Sequence, residues 1–108
     1  MKTLNDYCND LCERITKATH ERWKHTRETT THTYKVGQKY IKIITCENGN
    51  DRSVWGFINK SNPNFNEGDI LKAAGWRTPA LNKARGNIYD GYDIDPHSMR
   101  IYGPDYLR

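Results

Sequence analysis

Residues Gln38–Lys60, QKYIKIITCENGNDRSVWGFINK, decide the fold. In YIKIITCE the alternation sets Tyr40, Lys42 and Ile44 on one side and Ile41 and Ile43 on the other, the period of a half-buried strand rather than a helix. Asn48–Asp51, NGND, is a strong turn signal, because Asn and Gly tolerate the positive φ that a tight hairpin connection demands. RSVWGFINK then returns with Val54, Phe57 and Ile58 for burial. The stretch predicts an antiparallel hairpin centred on Asn48–Asp51.

The flanks place further elements around this hairpin. From Leu4 to about Trp23, apolar residues fall at Leu4, Tyr7, Cys8, Leu11, Ile15 and Ala18, a helical stripe, with Thr3 as N-cap and Asp6 three residues on. The opposite face carries Arg14, Lys17, Glu21, Arg22 and Lys24, the mixed charge of a solvated surface. The threonine-rich TRETTTHTYK is β-branched, so the helix is expected to stop near His25 and the chain to become extended. After the hairpin, SNPNFNEG turns the chain and DILKAA reads as a short third strand or a single helical turn. The expected fold is α+β in two layers: an N-terminal amphipathic helix on a small antiparallel β-meander, followed by a short C-terminal helix and an irregular tail. The chain reads as one domain, with the helix in 1–27, the meander in 28–75 and a basic, aromatic segment in 76–108.

Composition bounds the function. A chain of 108 residues forms one small core, burying about two-thirds of its unfolded surface. A hydrophobic fraction of 35% makes that core thin, while 11% aromatic residues argue against disorder. Seventeen Lys and Arg against 13 Asp and Glu give a net charge of +4, which favours an anionic partner. The N-terminal sequence has no apolar run long enough for a signal peptide or a membrane span, and the three cysteines are odd in number, so a cytoplasmic protein with free thiols and no membrane partner is expected. Cys8 and Cys12 lack the Cys-x-x-Cys spacing of a zinc knuckle. Asp90, Asp93 and Asp95 lack the closing Glu of a calcium loop. No metal and no cofactor is expected.

Gly68–Gly91, GDILKAAGWRTPALNKARGNIYDG, carries four basic residues and no acid between Lys72 and Arg85. Gly75 reads as a pivot that projects Trp76 and Arg77. Pro79–Arg85 reads as two helical turns, with Thr78 as N-cap, Pro79 in first position and Gly86 at the end. A helix start beside Arg77 and an indole suits a phosphate with a base stacked on Trp76. The candidate ligand-binding residues are Lys72, Trp76, Arg77, Lys83, Arg85 and Asn87, with Arg100 adding to the field and Tyr89 or Tyr102 stacking. Against this stands the burial preference of tryptophan, which favours Trp76 as a core plug. Arg85 has nearby acids, Asp90, Asp93 and Asp95, with which it could pair instead.

The run from Tyr40 to Gly91, with YGPDYLR at the end, resembles small accessory proteins of tailed bacteriophages, in which a FINK-like strand, a GDILKAA strand and a W-basic-x-PA…ARGNI segment recur in this order. Lys60, Gly68, Asp69, Lys72, Ala73, Trp76, Pro79, Ala80, Ala84, Arg85, Gly86 and Asn87 carry the match. It implies a protein of the infected bacterial cytoplasm and no particular biochemical activity. The N-terminal helix and its threonine-rich exit look individual to this chain.

No catalytic constellation stands out: there is no Gly-x-Ser-x-Gly elbow, phosphate-binding Walker loop or His-Glu-x-x-His. Only the fold could bring Lys42 together with His32 or Asp51. A binding protein is expected, not an enzyme. Its partner is a nucleic acid or nucleotide held by the basic, aromatic segment, in counter-defence or host takeover. The alternative is an inhibitor that presents the same surface to an acidic host protein.

Overall fold

A computed structural model of the chain describes residues 2–24 and 28–106. Helix α1, Leu4–Arg22, starts at a reciprocal capping pair: the Thr3 N–H donates to Asp6 Oδ2 at 2.9 Å and the Asp6 N–H donates to Thr3 Oγ1 at 3.2 Å. It ends at Trp23, whose backbone N–H donates to Thr19 O; His25, where the sequence placed the stop, lies outside the described residues. The buried stripe is Cys8, Leu11, Cys12, Ile15, Ala18 and Thr19. Burying Leu11 and Ile15 stabilises by about 1.5–3 kcal/mol each.

Four antiparallel strands, β1 (Thr30–Val36), β2 (Tyr40–Glu47), β3 (Asn50–Asn59) and β4 (Ile70–Leu71), lie in the order β1-β2-β3-β4. The expected α+β meander under a helix is therefore the observed architecture. Asn48 and Gly49 connect β2 to β3 with φ of 52° and 79°, the pair of positive values that a two-residue I′ turn requires. α1 docks on the β1 side of the sheet, where Thr16 Oγ1 meets His32 Nδ1 at 2.9 Å and His20 Nε2 donates to Thr30 O at 2.6 Å.

The pairing of β2 with β3 slips twice. Ile43 pairs with Gly56 and Ile44 with Val54, leaving Trp55 as an extra residue; Cys46 pairs with Asp51 and Thr45 with Ser53, leaving Arg52 as another. A bulge re-aims the side chain it frees. Trp55, rather than the half-buried Val54, thus becomes the large core residue of β3, at 1% exposure. Its ring meets Tyr92 edge-on at 6.3 Å and its Nε1 donates to Arg100 O at 2.7 Å.

The helix expected over Pro79–Arg85 does not form. Residues 79–88 return alongside 68–73 instead: the Ala80 N–H donates to Lys72 O, the Arg85 N–H to Ile70 O, the Ile70 N–H to Gly86 O and the Ile88 N–H to Gly68 O, all at 2.7–2.8 Å. Two helical turns are too short to stand alone, whereas the free edge of β4 offers a ready set of backbone partners. The short helical turns are 3₁₀ and lie later, at Ile88–Asp90 and Met99–Ile101. The tail is tied down by Arg100, which forks onto Asp105 at 2.8 and 3.0 Å, and by the Asp105 N–H, which donates to the Tyr92 hydroxyl.

Candidate anion-binding site

Between residues 72 and 80 the chain forms an arm. Ala73 bridges Pro79, and the Ala74 and Gly75 N–H groups donate to Thr78 O, so Trp76 and Arg77 occupy the tip. Gly75 has no positive φ and an added Cβ would meet nothing within 4 Å, so the turn's hydrogen bonds, rather than glycine's freedom, project the tip. Trp76 is 51% exposed. The core plug that the sequence favoured there is Trp55.

Arg77 reaches a groove of about 270 Å³ formed with Lys35, Lys39, Lys42, Tyr40 and Phe57. The sheet register explains the convergence. Lys35 pairs with Lys42 and Lys42 with Phe57, so one row across three strands carries two cations and an aromatic ring on a single side. Lys39 comes from the β1–β2 turn, closed by the Gly37 N–H donating to Tyr40 O at 2.9 Å. No carboxylate lines the groove, and among the described residues no ion pair involves Lys35, Lys39, Lys42 or Arg77. The edge-on contact of Tyr40 with Phe57, centroids 6.2 Å apart, sets its aromatic wall.

The six residues singled out from the sequence separate into two groups. Trp76, Arg77 and Lys83 are exposed, and only Arg77 joins the groove. Lys72 turns to the tail, its Nζ donating to Pro104 O at 2.7 Å and lying 3.7 Å from the Tyr106 ring centre; burial, and then the nearby Arg85 charge, lower its pKa. Arg85 donates through Nη1 to Lys83 O, with Nε buried and without a partner, and it pairs with none of Asp90, Asp93 and Asp95. The Asn87 amide donates to Glu67 O and Asp69 Oδ1 and accepts from the Tyr89 N–H, which commits it to the return segment. Of the auxiliary residues, Arg100 is held by Asp105 and Tyr92, Tyr102 accepts from Trp23 Nε1 and Tyr89 donates to Glu67.

Sequence reasoning missed Lys35 and Lys39 and considered Lys42 only for catalysis. Lys42 pairs with Lys35, whereas Asp51 pairs with Cys46 and His32 with Thr45. The signal was present in YKVGQKYIK: once Gly37–Tyr40 is read as a turn, Lys35 and Lys42 fall opposite each other.

Elsewhere the polar groups serve the fold. Cys8, Cys12 and Cys46 are buried free thiols, and burial pushes those of Cys8 and Cys12 up to about 12, far from nucleophilic. Burial, reinforced by His20, lowers the pKa of His32 to about 4; its Nε2 has no hydrogen-bond partner. Among the described residues, no three His, Cys, Asp or Glu side chains gather as a metal site, and no helix is long and apolar enough to cross a membrane.

No curated protein and no solved structure is detectably similar to this chain. A family match covers residues 1–96, so it takes in α1 and β1, which had looked individual to this chain, together with the sheet, the groove and the arm. The chain belongs to the family of unknown function DUF7717.

Proposed function

We propose that this protein is a non-enzymatic binding domain for a phosphate-bearing ligand, a nucleic acid or a nucleotide, with the phosphate taken between the β1–β2 turn and the arm tip. The observation that carries this reading is the convergence of Lys35, Lys39, Lys42 and Arg77 on one concavity without a carboxylate. Like charges set opposite each other on neighbouring strands destabilise a sheet, and an anion between them removes that cost. Cations brought from separate segments to one concave point suit a compact oxyanion. A dispersed acidic protein surface is better met by a broad patch. The net charge of +4 adds long-range attraction for a polyanion. On the phage resemblance, the ligand is met in the cytoplasm of an infected bacterium, in counter-defence or host takeover.

The exposed indole of Trp76 and the exposed Leu81 favour a second reading, an inhibitor that anchors on an acidic host protein through the same surface. Titration of a thymidine oligomer of about ten units at several salt concentrations separates the two. Phosphate recognition by four cations gives a slope of log K on log salt of up to about −3, reduced in magnitude by roughly 0.7 in Arg77→Ala or Lys42→Ala. Binding that is absent, or insensitive to salt and to both substitutions, sinks the phosphate reading.

A further inference from the structure

Consecutive residues at the arm tip line different concavities. Arg77 lines the cationic groove, whereas Trp76 lines a second hollow of about 240 Å³ with Ser53, Val54, Ala73, Ala74 and Gly75, in which no side chain is charged. The sheet register relates the two. Lys42 pairs with Phe57 under the groove, and Ile44, two residues further along the same strand and on the same side, pairs with Val54 beside Trp76. Two residues of strand span roughly 6.5 Å. The spacing is short, so one ligand can meet a cluster of positive charge and, one step away, an uncharged hollow with a half-exposed indole.

From this juxtaposition we propose that the site takes an unpaired nucleotide of a single strand, its phosphate among Lys35, Lys42 and Arg77 and its base stacked on Trp76. The proposal rests on the phosphate reading above and specifies it. Base stacking on an aromatic ring is tolerant of sequence but needs a base with a free face. A duplex keeps its bases stacked within the helix and offers the protein mainly phosphates and groove edges. The hollow offers the first an aromatic face and has no charged group to hold the phosphates of the second. Trp76 also leaves apolar area exposed to water, and a base covering it returns that area to an apolar contact. Lys83 and Leu81, exposed on the return segment, are available to the neighbouring nucleotides of a longer strand.

The test uses the full chain in a Trp23→Phe background, so that the signal comes from buried Trp55 and exposed Trp76. Four probes are compared at one salt concentration: a thymidine oligomer of about ten units, an abasic oligomer of equal length, the duplex, and thymidine monophosphate. The expected result is quenching by the thymidine oligomer, affinity for it roughly 5- to 150-fold lower in Trp76→Ala, and most of that affinity retained in Trp76→Tyr. The abasic oligomer is expected to bind without quenching, at an affinity that Trp76→Ala leaves unchanged. Because the tip is exposed, both variants should melt with wild type. Equal affinity for abasic and thymidine oligomers with no effect of Trp76→Ala overturns the stacking proposal while the Lys42→Ala effect preserves phosphate binding. Preference for the duplex, or affinity for the monophosphate equal to that for the oligomer, overturns the single-strand assignment. Loss of all salt-dependent binding removes the phosphate reading itself.

Discussion

Lys35 and Lys42 stand directly opposite each other in the β1–β2 pair, with Phe57 of β3 next in the row and no carboxylate lining the groove above them. Two like charges at paired positions are unfavourable in a sheet, where an opposite or neutral partner would do better. Such a local conflict is expected where a site is held ready for a ligand, because function is the usual reason for a rule of stability to be broken.

Lys42→Thr is therefore expected to stabilise the free protein by about 0.2–1 kcal/mol, since threonine suits a strand and the repulsion is gone. The same substitution should weaken oligonucleotide binding. Thermal melts at low salt, set beside binding titrations, check both halves. A variant that is destabilised and binds as tightly as wild type contradicts the role given to this pair.

Gly68 marks where the return segment depends on backbone geometry. Its φ is +87°, and a Cβ there would stand 2.8 Å from the Tyr89 ring, while its carbonyl accepts from the Ile88 N–H. Gly68→Ala is expected to cost about 1–3 kcal/mol through strain and displacement of Tyr89. Urea denaturation measures it. Hydrogen exchange should show Arg85 and Ile88 losing protection first, because their N–H groups pair with Ile70 O and Gly68 O.

His32 ties stability to pH. Its folded pKa of about 4 lies below the unfolded 6.5, chiefly because burial disfavours the charged ring, and His20 adds to this. Between those values the unfolded chain binds a proton that the folded one does not, so stability rises with pH through this window. The contribution is complete above about pH 6.5, is lost as pH falls to about 4, and changes no further below that. Its size is on the order of 3 kcal/mol. Urea midpoints for wild type and His32→Gln across this range should converge toward the acid end, and parallel curves would assign the pH dependence to other groups.

The sequence by itself determined the elements whose signals are local. Thr3 with Asp6 set the start of α1, the spacing of Cys8, Leu11 and Ile15 set its buried stripe, and Asn48-Gly49 set the turn between β2 and β3, because capping, periodicity and positive φ depend on residues a few positions apart. Tertiary structure decided the rest. Pro79–Arg85 had helix signals at both ends, yet pairing with the β4 edge won, since a lone pair of turns gains less than a set of hydrogen bonds to an open strand. Trp76, favoured from the sequence as a core plug, is carried outward by the arm, and Trp55, which the sequence reading did not name for burial, fills the core at a bulge in β3. Lys72, Arg85 and Asn87 were drawn into holding the tail and the return segment, while Lys35, Lys39 and Lys42 came to Arg77 across a sheet. A site assembled from residues some 40 positions apart is set by strand register and by the path of an arm, and no short window of sequence contains either.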